Sequence, residues 1–447
     1  MEYKPTAKWG KRILALRQRF YMNSAQTIKI AQNEVTEQFE IIDEIRDFNQ
    51  KKVLDAFVQN KVAAEHFMTV SGYGHDDMGR ETLDKVFAHA FKAEKAVVRN
   101  HFVSGTHALA CCLLGNLRHG EKLVSVAGAP YDTMEEVIGT RGDKRASLMG
   151  HGVLYEEIPL TEAMEVDFEL LEKTIDKTCT MALIQRSRGY SLRKSLDIET
   201  IEKVIKIIKS KNPDCICFVD NCYGEFTEKK EPLEVGADLM AGSLIKNPGG
   251  GIVETGGYIA GKEEFVEQAA MRLTAPGIGS EGGAMLNQSR LIFQGFFMAP
   301  SIVSEAIKGA VLAAKVFENI GYISTPKFDE VRTDIIQTIT FNAQKPLEEF
   351  CKTVQELSPI NSYVTPIPDN LVGYQDKVIM AGGTFIEGST IELSADGPIR
   401  PPYAVYMQGG LNYAHVKIVL QTEPGPCAGF RRIRGRGWNR RRRRRRL

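Results

Sequence analysis

Four polar side chains stand out between residues 215 and 261: Asp220, Tyr223, Ser243 and Lys246. They punctuate the run CICFVDNCYGEFTEKKEPLEVGADLMAGSLIKNPGGGIVETGGYIAG. In it Asp220 closes one apolar strand, Tyr223 sits in the turn that follows, and Ser243 and Lys246 come at the end of a second strand through Gly236–Gly242. A carboxylate ending one strand and an amine just past the next suit imine chemistry. The amine bonds an aldehyde as a Schiff base, and the carboxylate keeps a ring nitrogen protonated so that the ring accepts electrons from a substrate carbanion. Those are the demands that pyridoxal phosphate (PLP) makes of a protein. PLP is therefore the expected cofactor, with Lys246 and Asp220 as its principal partners.

Other residues have the types to complete such a site. Ser104-Gly105-Thr106 breaks a short apolar strand just before the helical run Ala108–Leu117. Backbone N–H groups at such a turn, with a glycine that permits close approach, form a phosphate site at a helix N-terminus. The plainer reading is a strand–helix turn with Ser104 as N-cap. Tyr131 follows the next strand and a Gly-Ala-Pro turn, at the sheet edge where doubly wound folds hold their ligands. A flat ring there stacks on a planar cofactor, or else serves as a core or interface aromatic. Arg80 stands at the start of a helix, after a Gly-rich loop that contains Tyr73. It meets an anion or, as the simpler expectation, only solvent. Of Arg186 and Arg188, which follow strand 180–185, one is expected near substrate or phosphate and the other as a structural ion-pair donor. Arg400, between prolines in SADGPIRPPY, is the candidate for gripping a substrate α-carboxylate in bidentate fashion, with Arg188 the second candidate. An ordinary surface arginine is the alternative at position 400.

The elements that must position these residues alternate at short spacing. Strands at 122, 152–158, 180–185 and 215–220 are separated by helices from about Thr133, at 167–176 and at 198–210. That grammar specifies an α/β fold with a mostly parallel sheet covered by helices on both faces. Ahead of it, apolar residues recur at threes and fours over 25–60, which predicts a helical arm packed on the body or on a partner subunit. Behind it come a helix over 263–273, a Gly-rich loop LTAPGIGSEGGAM as a candidate cover of the site, and a long helix over about 301–320. The pieces DIIQTITFN, PLEEFCKTVQEL, KVIMAGGTF, STIELSADG and YAVYMQGG then predict a smaller α/β domain. The expected division is a helical arm over 1–65, a large domain over 66–300, a small C-terminal domain over 301–420 and an Arg-rich tail over 421–447.

Composition narrows the function. The formal charge of +1 hides an asymmetry, because residues 421–447 hold eleven Arg and one acid. The rest carries 46 Lys and Arg against 55 Asp and Glu, a balance of −9, which argues against nucleic acid as the main partner. The tail ends in seven consecutive Arg. It is either an electrostatic nucleic-acid tail or an appendage, a reading-frame artefact included; the second is favoured, since the packed pattern stops just before it. None of the eight cysteines forms C-x-x-C, and they read as reduced, mostly buried thiols of a cytoplasmic protein. The N-terminus lacks the pattern of a signal peptide, and no apolar run is read as long enough to span a bilayer.

Eight stretches carry a family resemblance: GYGHDDMGRETL (72–83), VSGTHAL (103–109), APYDT (129–133), LIQRSRGYS (183–191), FVDNCYGEF (218–226), GADLMAGSLIKNPGGG (236–251), RLTAPGIG (272–279) and ELSADGPIRPPY (392–403). They resemble the methionine gamma-lyase family, also called aluminium resistance proteins, relatives of the cystathionine lyases. The likeness runs over roughly residues 20–420 in one register and leaves out the tail. It implies the PLP-dependent transferase fold type I, with Lys246 bonded to the cofactor and Asp220 paired with the pyridine nitrogen. Tyr223 would bond the phenolic oxygen, Tyr131 would stack on the ring, and Ser243 would hold the phosphate with Ser104, Gly105 and Thr106. Tyr73 and Arg80 would complete the phosphate cradle of a neighbouring subunit, making the enzyme a homodimer or homotetramer with shared active sites. GYGHDDMGRET stands where cystathionine lyases carry Y-x-R-x-x-N-P-T.

The activity so implied is PLP-dependent carbon–sulfur lysis of a sulfur amino acid, by β- or γ-elimination to a 2-oxo acid, ammonia and a thiol. Alternatives are a fold type I enzyme of another class, an aminotransferase or decarboxylase, and a non-catalytic protein that binds nucleic acid through its basic tail.

Overall fold

Residues 24–370, 374 and 376–422 are described in this computed structural model. The Arg-rich tail beyond Thr422, and any role for it, lies outside them. Strand-forming apolar runs fall into two sheets. The larger contains β1 (Lys95–Arg99), β2 (Lys122–Ser125), β3 (Leu154–Glu157), β4 (Cys179–Gln185), β5 (Ile216–Asp220), β6 (Leu239–Ser243) and β7 (Gly257–Gly261) in the order β1-β7-β6-β5-β4-β2-β3. Strands β2 to β6 run parallel, and β7 is antiparallel to both β6 and β1. Every residue of β5, β6 and β7 is buried, as a sheet covered on both faces requires.

The covering helices show why these sequences fold as they do. In Ile198–Lys211 the N-cap Asp197 accepts the Thr200 N–H at 2.7 Å. Ile198, Ile201, Val204, Ile205 and Ile208 form its buried stripe, and Lys209 and Lys211 lie in the last turn. Capping, helical spacing and cations at the negative end of the dipole agree. Each buried isoleucine contributes roughly 1.5–3 kcal/mol over exposure, so Ile201→Asp is the single change that would strip this helix from the sheet.

The smaller sheet is antiparallel throughout: β8 (Ile323–Thr325), β9 (Ile336–Thr340), β10 (Val378–Ala381), β11 (Ser394–Pro398) and β12 (Ala404–Gln408), in the order β10-β11-β12-β9-β8. A helix over Gln288–Asn319 joins the two cores. Its first half packs Ile292, Phe296 and Val303 into the core of the large sheet, and its second half packs Leu312, Val316 and Phe317 into that of the small one.

This helix starts thirteen residues earlier than the sequence pattern suggested. Pro300 lies inside it. Its full length corrects a second expectation, because by length and composition it matches a membrane span. Yet 67% of its most apolar stretch is buried within the protein, as in a core helix. The N-terminal arm forms two helices, Ser24–Glu34 and Thr36–Gln59. Ile28 and Ala31 of the first join the small-sheet core. From the second, Asn49 Nδ2 donates to the carbonyls of Phe226 and Glu228 at 3.2 and 3.0 Å.

Candidate active site

The parallel strands deliver their C-terminal ends to one edge of the large sheet, where open α/β sheets bind ligands. Asp220 is the last residue of β5, level with Gln185 on β4 and Ala241 on β6. Its carboxylate is buried and accepts the Cys222 N–H at 3.1 Å. Burial pushes this acid above its ordinary value, against the opposing pull of Lys246. Tyr223, three residues beyond Asp220 along the turn, adopts φ +72°, a conformation that non-glycine residues avoid and that clusters at functional turns. Asn247 fixes that turn by donating its Nδ2 to the carbonyls of Tyr223 and Glu225, both at 3.0 Å. Lys246, the residue before Asn247, brings its Nζ to 3.8 Å from the centroid of the Tyr223 ring. Burial opposes the lysine's charge, but Cys222, Tyr223, Asp220 and Tyr131 around it outweigh that effect and hold the ammonium above its ordinary value.

Opposite this pair stands the N-terminus of the helix Gly105–Asn116. Ser104 caps it by accepting the His107 N–H at 3.1 Å. A Cβ added at Gly105 would lie 3.0 Å from Ser243 Cβ and 3.4 Å from Cys222 Sγ. The bare glycine thus leaves just enough room between helix end and strand end for backbone N–H groups to reach an anion. Thr106 Oγ1 and Tyr131 Oη are hydrogen-bonded at 2.9 Å, and the Tyr131 N–H donates to Gln185 Oε1 at 2.9 Å. Burial, then the nearby Asp220, keeps the Tyr131 hydroxyl protonated well above its usual range. A helix N-terminus, a serine, a buried acid, a stacking-sized ring and a buried lysine form the donor set that PLP requires, so the residues present fit that cofactor.

The structure gathers Gly105, Thr106, Tyr131, Asp220, Tyr223, Ser243 and Lys246, but it treats the predicted arginines and Tyr73 differently. Arg80, expected in solvent or at an anion, is 1% exposed. Its guanidinium donates to the carbonyls of Gly74 and Gly283, so it ties two loops of its own chain together. Tyr73, in contrast, is 82% exposed. Arg188, a candidate for the substrate carboxylate, is buried with Nη1 on the Thr325 carbonyl at 3.1 Å; it joins the loop after β4 to the small sheet. Arg186 is buried as well and bonds Asn221 Oδ1 and Glu228 Oε2, both at 2.8 Å. Arg400 remains half in solvent, paired with Asp376 at 2.9 Å.

Sequence reasoning missed a buried polar layer directly beneath the site. Asn221 Nδ2 donates to Glu231 Oε2 at 3.0 Å, and the Tyr258 hydroxyl donates to Glu225 Oε1 at 2.8 Å. Burial pushes the Glu225 carboxyl up to about 8, so it carries a proton at neutral pH. Polar residues in the apolar surroundings of FVDNCYGEF were the available signal. It also missed an aromatic wall. Tyr190 packs on Tyr374 and Tyr406 with ring centroids 5.5 and 5.2 Å away, and its hydroxyl donates to the buried Asp396 at 2.9 Å.

Comparisons with known proteins agree with this architecture. The family model for methionine gamma-lyase matches residues 24–423. The Bacillus subtilis protein YnbB is 48% identical over 380 residues, 85% of this chain and 90% of that protein. Two crystal structures align along nearly their whole lengths. One is a Listeria monocytogenes protein proposed as a cystathionine beta-lyase involved in aluminium resistance. It is 48% identical with a TM-score of 0.87, covering 89% of this chain and 98% of that one. The other, a carbon-sulfur lyase involved in aluminium resistance from Clostridium novyi, is 47% identical with a TM-score of 0.86, covering 93% and 98%. The pyridoxal-5'-phosphate-dependent protein YhfS of Escherichia coli shares the fold alone, at 15% identity and a TM-score of 0.56 over 85% of this chain and 96% of that one. The fold is thus that of the fold type I PLP-dependent enzymes, with an antiparallel C-terminal sheet.

Proposed function

The chain belongs to the methionine gamma-lyase family, and on that premise we propose that it is a PLP-dependent carbon–sulfur lyase acting on a sulfur amino acid. The observation that carries the proposal is the convergence of Lys246, Tyr223 and Asp220 opposite the Gly105–Ser243 cleft. Ser243, with the N–H groups of Gly105 and Thr106, would hold the phosphate, favoured by the helix dipole. The Tyr131 ring would stack on the pyridine, Tyr223 would hold its phenolic oxygen, and Asp220 would keep its nitrogen protonated. When bound, PLP supplies an electron sink that stabilises negative charge at the substrate Cα.

The protein's side chains do the rest. Lys246 Nζ would hold the cofactor's aldehyde carbon and, as a free amine, would take the proton from the substrate Cα. For loss of sulfur from Cγ, the same amine, once it has given up the Cα proton, would also take a proton from Cβ. The Tyr131 hydroxyl, kept protonated by burial, is available to protonate the departing sulfur. Arg400 grips the α-carboxylate by exchanging its partner Asp376 for the substrate, which its exposure favours. The buried Tyr406 and the half-buried Tyr190 wall off water from the side nearest the small sheet.

The working unit is a homodimer or homotetramer in the cytoplasm, in which the exposed Tyr73 reaches a neighbouring subunit's site. Exposed apolar residues on the second arm helix, Phe48, Leu54 and Val58, suit burial against another copy. The decisive assay supplies PLP and cystathionine and measures products. Pyruvate with homocysteine marks β-elimination, and 2-oxobutanoate with cysteine marks γ-elimination. Transfer of the amino group to a second 2-oxo acid without thiol release would assign the enzyme to another reaction class.

A further inference from the structure

Glu225 is a buried acid to which the proposed chemistry gives no task. It has no exposed surface, and burial first, then the like charge of Glu231, moves its titration up to about 8. Tyr258 of β7 faces it and donates its hydroxyl to Oε1 at 2.8 Å. Cys222 and Lys246, in the turns beyond β5 and β6, are the other titratable groups that it feels. Its second oxygen, Oε2, is buried without a hydrogen-bond partner.

Asn247 has a matching gap. Its Nδ2 donates to the carbonyls of Tyr223 and Glu225, both at 3.0 Å, and two carbonyl acceptors fix which end of the amide is the nitrogen. Oδ1 must therefore accept elsewhere, yet it too is buried without a partner. Buried polar atoms are paired in nearly every native structure. Oxygen bonds oxygen only through a hydrogen, and of these two groups only the carboxyl can carry one. We propose that Glu225 is a neutral carboxylic acid whose Oε2–H donates to Asn247 Oδ1, and that the pair are positioning residues that hold Tyr223 against Lys246.

The contacts then run without a gap from Tyr258 through Glu225 and Asn247 to the carbonyl of Tyr223. They end on a residue held at φ +72°, and such strain persists only where the surroundings over-determine it. Asn247 directly follows Lys246, so one side chain ties the lysine's backbone to the turn whose tyrosine ring lies 3.8 Å from Nζ. Loss of the carboxyl proton would set two acceptors against each other and loosen that turn. The positioning role rests on the proposed lyase reaction, whereas the proton does not.

Difference infrared spectra of the full-length protein, wild type minus Glu225→Gln, test the proton without cofactor or substrate. A protonated-carboxyl band is expected at neutral pH, lost as pH rises through about 8 and moved to higher frequency in Asn247→Ala, which removes its acceptor. If Glu225→Gln fails to fold, carbon NMR of the wild type with carboxyl-labelled glutamate reads the same proton. A carboxylate at neutral pH, or a band that Asn247→Ala leaves in place, would overturn the proposal. The positioning role is read from kcat with a sulfur amino acid. Asn247→Ala should lower kcat roughly ten- to a hundredfold at little change in KM, and should add little to the loss in Tyr223→Phe, through which it acts. Glu225→Gln, which keeps both hydrogen bonds and has no proton to lose, should abolish any fall in kcat above about pH 8. Additive losses in the double variant, or an unchanged alkaline fall in Glu225→Gln, would refute positioning. A wild type that turns over no substrate with PLP present would overturn the lyase reading and the positioning role together, and the infrared band would still decide the proton.

Discussion

Arg186 and Arg400 stand on opposite sheets, and their surroundings differ as much as their exposure. Arg186 has no exposed side-chain surface and meets Asn221, Thr227, Glu228 and Glu231. Arg400 keeps half of its side chain in solvent and pairs with Asp376. A buried charge with several partners fixes geometry, and removing it strands the partners. An exposed pair contributes little to stability and exchanges partners readily. The large-sheet side of the site is therefore set before any ligand arrives, while the small-sheet side offers a cation that a substrate can recruit.

Substitutions break or sharpen this contrast in a predictable order. Lys246→Ala should remove turnover by at least about 10⁴-fold, the upper range for proton transfer alone, read in a thiol-release assay. Arg186→Leu should cost about 3–5 kcal/mol of unfolding free energy by leaving Glu231 and Glu228 unpaired, measured by urea denaturation. Asp220→Ala should lower kcat roughly 10²–10³-fold while retaining some bound cofactor.

Glu225→Gln acts through pH. With the carboxyl pushed from an ordinary 4.5 up to about 8, the unfolded chain loses a proton that the folded chain keeps as pH rises between those values. Stability should accordingly fall across that window by up to about 1.4 kcal/mol per pH unit. Glu225→Gln should flatten this slope in denaturation curves from pH 5 to 8 (the range in which ~4.5 and ~8 differ most). The smallest effect belongs to the exposed side. Arg400→Lys should raise KM several-fold by losing bidentate geometry and change stability by no more than about 0.5 kcal/mol.

What the sequence made legible divides along the same line. Asp220, Lys246 and Tyr131 could be read because each is a polar or aromatic residue at the end of an apolar strand, and the strand–helix grammar places such ends at one edge. Gly105 could be read from its strand–helix turn. Arg80 and Arg188 could not, because their partners are backbone carbonyls at Gly283 and Thr325, more than 130 residues away in sequence, and a carbonyl leaves no mark in composition. The start of the bridging helix was hidden by Pro300, which usually opens a helix but here sits within one. The Glu225–Tyr258 pair was missed because a lone acid in a turn looks solvated until the fold buries it.

The most direct test of the central claim is a visible absorption spectrum of the purified protein, before and after borohydride, beside Lys246→Ala. The wild-type protein should show a yellow band that borohydride abolishes, with the reduced cofactor fixed on the Lys246 peptide, and the variant should show no such band. A PLP-supplemented wild-type protein without the band, or with the cofactor fixed on another lysine, would contradict it.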